Sequence, residues 1–158
     1  MNSGAPDSLS LDGTGRRFGI VAARFHGAVV DRLLAGAEGA LRGHGVAQAD
    51  IAVVRVPGAW EIPVALDELA RRGGFSALIA LGVLIRGGTL HFEVIAEQCS
   101  RGIAEVALRR ELPVTFGVLT CETMAQAEAR AGGEEGNKGE EAAFAALEMA
   151  SLVARLRT

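Results

Sequence analysis

Apolar positions along this chain fall into two alternating rhythms. In four short stretches they are almost continuous: residues 17–23 (RFGIVAA), 51–56 (IAVVRV), 75–84 (FSALIALGVL) and 113–119 (PVTFGVL). Such runs predict strands, and the third and most apolar one has the look of a parallel strand covered on both faces. Between them the spacing widens to that of a helix. Val29, Val30, Leu33, Leu34, Ala37, Ala40 and Leu41 predict a helix over 28–42, stopped by Gly43 and Gly45. A second helix is expected over about 62–71, with Pro63 tolerated in its first turn and Gly73-Gly74 ending it. A long helix is expected over 91–110, carrying Phe92, Ile95, Cys99, Ile103 and Val106 on one stripe. Beyond the fourth strand, Thr120 or Glu122-Thr123 can cap a short helix from Met124 to Arg130. A loop is predicted from Gly132 to Asn137, then a helix over about 139–156 that buries Ala143, Leu147, Ala150 and Ala154.

Strand and helix thus alternate four times, which predicts an α/β layered sandwich around a parallel sheet. Right-handed crossovers leave few topologies. There is no internal repeat, linker or low-complexity segment, and 158 residues fit one domain. Residues 1–16, rich in Ser, Gly and Asp, are expected outside the core. The start lacks the basic and apolar blocks of a signal peptide, and no apolar run approaches the roughly 18 residues of a membrane span. Cys99 and Cys121 show no CxxC spacing, so neither a disulfide framework nor a zinc site is indicated, and a cytoplasmic setting is expected.

Apolar residues at 49% and charged residues at 22% fit a globular chain with a real core. A formal net charge of -3 argues against nucleic acid as a partner. Arg109-Arg110 reads as a solvated helix end and Glu134-Glu135 as a solvated loop.

Ligands of such sheets bind outside the carboxyl ends of the strands. Arg24-Phe25-His26 follows the first strand, Pro57-Gly58-Ala59-Trp60-Glu61 the second, and Ile85-Arg86-Gly87-Gly88-Thr89-Leu90-His91 the third; Phe116 lies within the fourth. The glycine-rich turn before the long helix suits an anion, and His91 on the first helical turn can move protons. A plain connection with a solvated Arg and His is the alternative. The chain has six Phe, one Trp and no Tyr, and Phe25, Trp60 and Phe92 all fall just beyond strand ends. Phe25 and Trp60 can stack on a planar heterocycle, or simply plug the end of the sheet. Glu61 suits sugar-like hydroxyls, or equally the dipole at a helix start. Arg130 and Lys138 flank a glycine-rich loop and can hold a phosphate, or can be solvated cations at two helix ends. His26 and His44 read as surface residues, and three histidines so far apart make no metal site. The residues alone reach an α/β enzyme for an aromatic, phosphate-bearing or polyhydroxylated ligand.

Five strings extend that reading. Arg24-Phe25, residues 57–63 (PGAWEIP), residues 82–93 (GVLIRGGTLHFE), Arg130-Ala131-Gly132 and residues 136–139 (GNKG), in this order over about 14–155, resemble the 6,7-dimethyl-8-ribityllumazine synthase family of riboflavin biosynthesis. The resemblance implies a flavodoxin-like three-layer sandwich: a four-stranded parallel sheet of order 2-1-3-4 with helices on both faces. It implies a flexible segment over 1–13 and a single domain over 14–158. The family condenses 5-amino-6-(D-ribitylamino)uracil with 3,4-dihydroxy-2-butanone 4-phosphate, without an organic cofactor or metal. By resemblance Phe25 stacks on the pyrimidine, Ala59, Trp60 and Glu61 hold the ribityl chain and ring, and Val83, Leu84 and Ile85 line the uracil edge. Gly88, Thr89 and Arg130 bind the phosphate, and His91 carries protons. Phe116, Arg130 and Lys138 reach in from a neighbouring subunit of a homopentamer, which in some relatives builds a 60-subunit shell. The short loop over 132–137 points toward the larger assembly. Two positions depart from the family pattern: His26 where Asn is common, and Val83 where Thr is common. The competing expectation is an idle lumazine- or flavin-binding or shell-forming protein, with an archaeal-type riboflavin synthase more remote. Retention of His91, Arg130 and Lys138 together favours the enzyme.

Overall fold

The four apolar runs become one parallel sheet. The computed structural model describes residues 10–158. Its strands are β1 (Phe18–Ala23), β2 (Ile51–Val56), β3 (Ala77–Ile85) and β4 (Val114–Cys121), in the order β2-β1-β3-β4. The predicted order 2-1-3-4 is therefore observed. Register is simple: Phe18 stands beside Ile51 on one side and Ala77 on the other, and Leu78 beside Val114.

The helices are α1 (Gly27–Gly43), α2 (Ile62–Arg72), α3 (His91–Arg110), α4 (Met124–Ala129) and α5 (Lys138–Leu156). All six residues of β1 and the first seven of β3 are buried, so their side chains alternate between two cores. Phe18, Ile20, Ile79, Leu81 and Val83 pack with α1 and α5. Val21, Ala23, Leu78 and Ala80 pack with Ile62, Leu66 and Leu69 of α2 and Cys99, Ile103 and Val106 of α3. These are the three expected layers. Cys121 belongs to the first core and Cys99 to the second; burial raises both thiols, Cys99 to about 11.

α1 and α5 cross so closely that a Cβ on Gly139 would collide with the main chain of Leu33. Asn137 fixes that crossing. Its Oδ1 accepts the N–H groups of Gly139 and Glu140 at the start of α5 (2.8 and 3.0 Å), and its Nδ2 donates to the Arg32 carbonyl of α1 (3.1 Å).

Several expectations need correcting. The predicted loop over 132–137 is a small antiparallel hairpin, β5 (Ala131–Gly133) and β6 (Gly136–Asn137). Gly132 and Gly136 at φ 95 and 80 permit its tight reversal, and a segment with so few side chains shows no hydrophobic period. Ala154 is exposed, because burial along α5 stops at Ala150. His44 is half-buried, its Nδ1 2.8 Å from the Ala40 carbonyl and its ring edge-on to Phe144. Thr123 is the cap of α4, accepting from Gln126 N–H at 3.2 Å. Of the segment expected to be flexible, residues 1–9 lie outside the described residues. Gly13 is buried and donates to the His44 carbonyl at 2.7 Å, and Leu11 rests against the core.

Arg109 and Arg110 are not merely solvated. Both reach from the end of α3 to Asp67 on α2, Arg110 through two bonds of 2.8 and 3.0 Å and Arg109 at 3.1 Å. Bonding first from Arg110 and then from Arg109 holds the Asp67 carboxyl well below its ordinary 3.8. A carboxyl depressed in the folded state contributes stability in full above its unfolded value and loses it as pH falls below that value. Asp67→Asn is therefore expected to lower the urea midpoint at pH 7 and to flatten its decline between about pH 5 and 3. Urea titrations across that range check this; parallel curves for the two proteins would rule the contribution out.

Candidate active site

Each strand of the sheet hands its carboxyl end to a turn that is fastened from outside. The β1–β2 ladder runs on past the strands, with Arg24 N–H donating to the Val56 carbonyl at 2.7 Å and Phe25 N–H to that of Pro57 at 3.1 Å. Arg55 of β2 donates through Nε and Nη2 to the carbonyls of Ala22 and Ala23 (3.2 Å each), and its Nη1 pairs with Asp31 of α1 at 2.9 Å. His26 then reverses the chain into α1, its carbonyl accepting the N–H groups of Val29 and Val30. Phe25 is left projecting, 66% exposed.

Beyond β2, Pro57 and Gly58 lead into a 3-10 turn over Ala59–Glu61. Glu61 folds back, its Oε2 accepting Gly58 N–H at 3.0 Å, so the capping role and a place at the cavity coexist in one carboxylate. Trp60 is 55% exposed, whereas Ala59 is buried against the α2–α3 layer.

The turn after β3 is clamped by Arg86. Its N–H donates to the Cys121 carbonyl at 2.8 Å, its Nε pairs with Glu122 at 2.9 Å and its Nη1 with Glu93, while the guanidinium carbon stands 4.7 Å from the Phe92 ring centre. Glu122 above all, then Glu93, holds the guanidinium in its charged form. This cation is committed to carboxylates, and sequence reading missed the clamp because its partners are divided between α3 and the end of β4 with the turn that follows it. The turn itself stays open: a Cβ on Gly87 or Gly88 would meet nothing within 4 Å. His91 begins α3 and is exposed, its N–H donating to Thr89 Oγ1 at 3.4 Å.

These turns enclose one cavity of about 770 Å³. Phe25, Ala59, Trp60 and Glu61 line it, together with Leu84, Ile85, Thr89 and His91. So do His26, Phe92 and Ile95, which sequence reading placed at a rim, a strand end or a core stripe. Two expected residues stand apart. Gly88 lies between the lining residues Gly87 and Thr89 without lining the cavity itself. Val83 packs its side chain in the α1–α5 core and lines no part of the cavity.

A second group gathers elsewhere. Phe116, Arg130 and Lys138 line a separate cavity of about 250 Å³ along β4. The β5–β6 hairpin brings the two cations together, since Lys138 N–H donates to the Arg130 carbonyl at 2.9 Å across its base. Arg130 Nη1 donates to the Gln126 carbonyl at 2.9 Å and Lys138 Nζ pairs with Glu141 at 3.0 Å. Phe116 is 48% exposed. Among the described residues, no group of three His, Cys, Asp or Glu converges as metal ligands, and no helix is long and apolar enough to cross a membrane.

Residues 15–154 match the family model described as 6,7-dimethyl-8-ribityllumazine synthase. A protein of that name from Aquifex aeolicus (strain VF5) is 54% identical over 147 residues, covering 93% of this chain and 96% of the relative's own length.

The Arg86 clamp makes a direct prediction. Arg86→Met keeps the stem over Phe92 but deletes both ion pairs, so amide exchange over residues 87–93 should quicken several-fold while β1 and β3 remain protected. Hydrogen-exchange mass spectrometry measures this, and unchanged exchange would mean that the turn is held by other contacts.

Proposed function

We propose a residue-by-residue reading of the two cavities from one premise: the chain belongs to the 6,7-dimethyl-8-ribityllumazine synthase family. It is a transferase that condenses 5-amino-6-(D-ribitylamino)uracil with 3,4-dihydroxy-2-butanone 4-phosphate, giving 6,7-dimethyl-8-ribityllumazine, phosphate and water. In our reading Phe25 stacks on the pyrimidine, Ala59, Trp60 and Glu61 hold the ribityl chain and ring, and Leu84, Ile85 and the main chain of Val83 line the uracil edge. Gly88 and Thr89 receive the phosphate beside the start of α3, and His91 carries protons. The observation that carries this is the single cavity in which two projecting aromatic rings, a carboxylate, Thr89 and His91 meet.

Both substrates are reactive on their own. The protein's task is to align amine with ketone, shuttle protons and help phosphate depart. Glu61 uses Oε2 on Gly58 N–H and so keeps Oε1 for a ribityl hydroxyl. We assign no organic cofactor or metal. Lys138 serves as an electrostatic contact, since the imine nitrogen comes from the substrate.

Phosphate departure calls for a cation, and within one chain Arg130 and Lys138 line the other cavity with Phe116. The reading is completed by a second copy whose Phe116, Arg130 and Lys138 close the first copy's main cavity, as in a homopentamer working in the cytoplasm. Exposed Leu90 just before α3 and Val94 and Leu108 along it support self-association. The compact β5–β6 hairpin is compatible with a 60-subunit shell.

The direct test mixes the protein with both substrates and follows lumazine formation and phosphate release together. Equal appearance above the uncatalysed background is expected; binding of riboflavin analogues without phosphate release would move the reading to an idle binding or shell protein. Arg130→Ala should raise KM for the butanone phosphate roughly ten-fold or more, as loss of a charge-assisted contact implies. His91→Ala should instead lower kcat by roughly 100-fold, the low end for a positioned acid–base group, without abolishing turnover. Equal KM effects from both would count against these roles. When the two impaired variants are co-assembled in equal amounts and assayed at limiting butanone phosphate, roughly a quarter of shared sites should regain both residues by random mixing across a heterologous interface, lifting activity above the average of the two. No recovered activity would put the whole site within one chain.

A further inference from the structure

Two non-glycine residues among those described hold a left-handed backbone, Glu111 at φ 51 and His26 at φ 57. Glu111 lies just past the last turn of α3, where helices commonly end in this way. His26 stands at the opposite end of a helix, before α1, where the turn reverses the chain out of β1. Glycine would adopt that conformation without the crowding a Cβ brings. An observed outlier of this kind directs attention to what the side chain does. The imidazole has a definite contact: its ring centre lies 4.4 Å from that of Phe25, the planes inclined at 57°. Both rings line the main cavity. Among the described residues this is the sole ring contact recorded for Phe25, which is otherwise largely in solvent. A phenyl ring so largely in solvent has little packing to hold it, so loss of the imidazole would widen its range of rotamers and a ligand would have to order it on binding.

We propose that His26 is a positioning residue, its imidazole backing the Phe25 ring and holding it in the orientation that receives the heterocyclic substrate. The inference rests on the reading above that Phe25 stacks on the pyrimidine. It assigns His26 to recognition of one substrate and to no chemical step, so its signature is a change in KM for the pyrimidine that leaves KM for the butanone phosphate unmoved.

Two variants separate the ring from the turn. His26→Gly deletes the imidazole and relieves the backbone; His26→Asn deletes the ring but keeps a polar side chain that tolerates left-handed φ. Steady-state assays would vary the pyrimidine at saturating butanone phosphate. Both variants are expected to raise KM roughly three- to ten-fold, the range an aromatic pair spans, with kcat little changed. Melting of H26G should occur at or above the wild-type temperature, which excludes misfolding as the cause. Adding H26G to a Phe25→Leu background should raise KM no further. An unchanged KM in H26G, restoration by H26N, or simple additivity with Phe25→Leu would each overturn the proposal. Fluorine NMR of a fluorophenylalanine at position 25 reads the same contact without substrate: H26G should broaden the range of ring environments, and an identical spectrum would also overturn it. A wild-type protein that forms no lumazine would instead bring down the underlying reading, leaving the NMR result to decide the ring contact by itself.

Discussion

Burial of β1 and β3 on both faces is the constraint from which the rest of this structure follows. A strand covered on both sides has no place for an unpaired polar group, so these strands carry only apolar side chains and glycine. Their alternate residues feed two separate cores, which obliges the chain to supply a helical layer on each face. Polar chemistry is thereby displaced to the strand ends, where the backbone leaves the ladder and donors become free. Phe25, Trp60, Glu61, Thr89 and His91 converge because the strands that precede them are parallel and in simple register.

Turns at the end of a sheet are poorly held by hydrophobic burial. Here two arginines and an amide side chain fasten the rim from positions that do not line the main cavity. Arg55 draws the end of β1 to α1, Arg86 draws the turn after β3 to β4 and to α3, and Asn137 joins the hairpin, α5 and α1. These groups bond carbonyls, amides and carboxylates at the rim, so hydrogen bonding and ion pairing hold it where packing is thin. The turn at Gly87 and Gly88 stays sterically open, while Gly58 N–H and Thr89 Oγ1 are engaged by Glu61 and His91.

Much of this was legible beforehand, because continuous apolar runs and 3.6-residue spacing are strong signals. β2 and α3 coincide with their predicted limits, and the fold class follows from alternation alone. What escaped was of two kinds. The β5–β6 hairpin has too few side chains to show a period, although Asn137 with Glu140 three residues on is a helix-start signal that could have placed the boundary of α5. The clamps escaped because Arg55 to Asp31, Arg86 to Glu122 and Arg110 to Asp67 join residues far apart in the chain, and nothing in a one-dimensional pattern pairs them. At the site, spacing suggested which residue types gather at strand ends; Val83 is withheld because it lies one pleat deeper in β3 than Ile85, which shares its side of the strand but reaches the cavity at the strand's end.

The base of the hairpin sets the relation of Arg130 to Lys138 through one main-chain bond, while Glu134 at its tip is exposed and touches neither cation. The tip is nevertheless tied to the base, because Glu135 N–H donates to the Ala129 carbonyl at 2.8 Å, one residue before Arg130. A longer bend would have to give up that bond, so the length of this small reversal bears on where Arg130 and Lys138 sit. For a protein engineer the same bond is a warning: a foreign peptide displayed at this bend would tug on the end of α4 and on the two cations beside it.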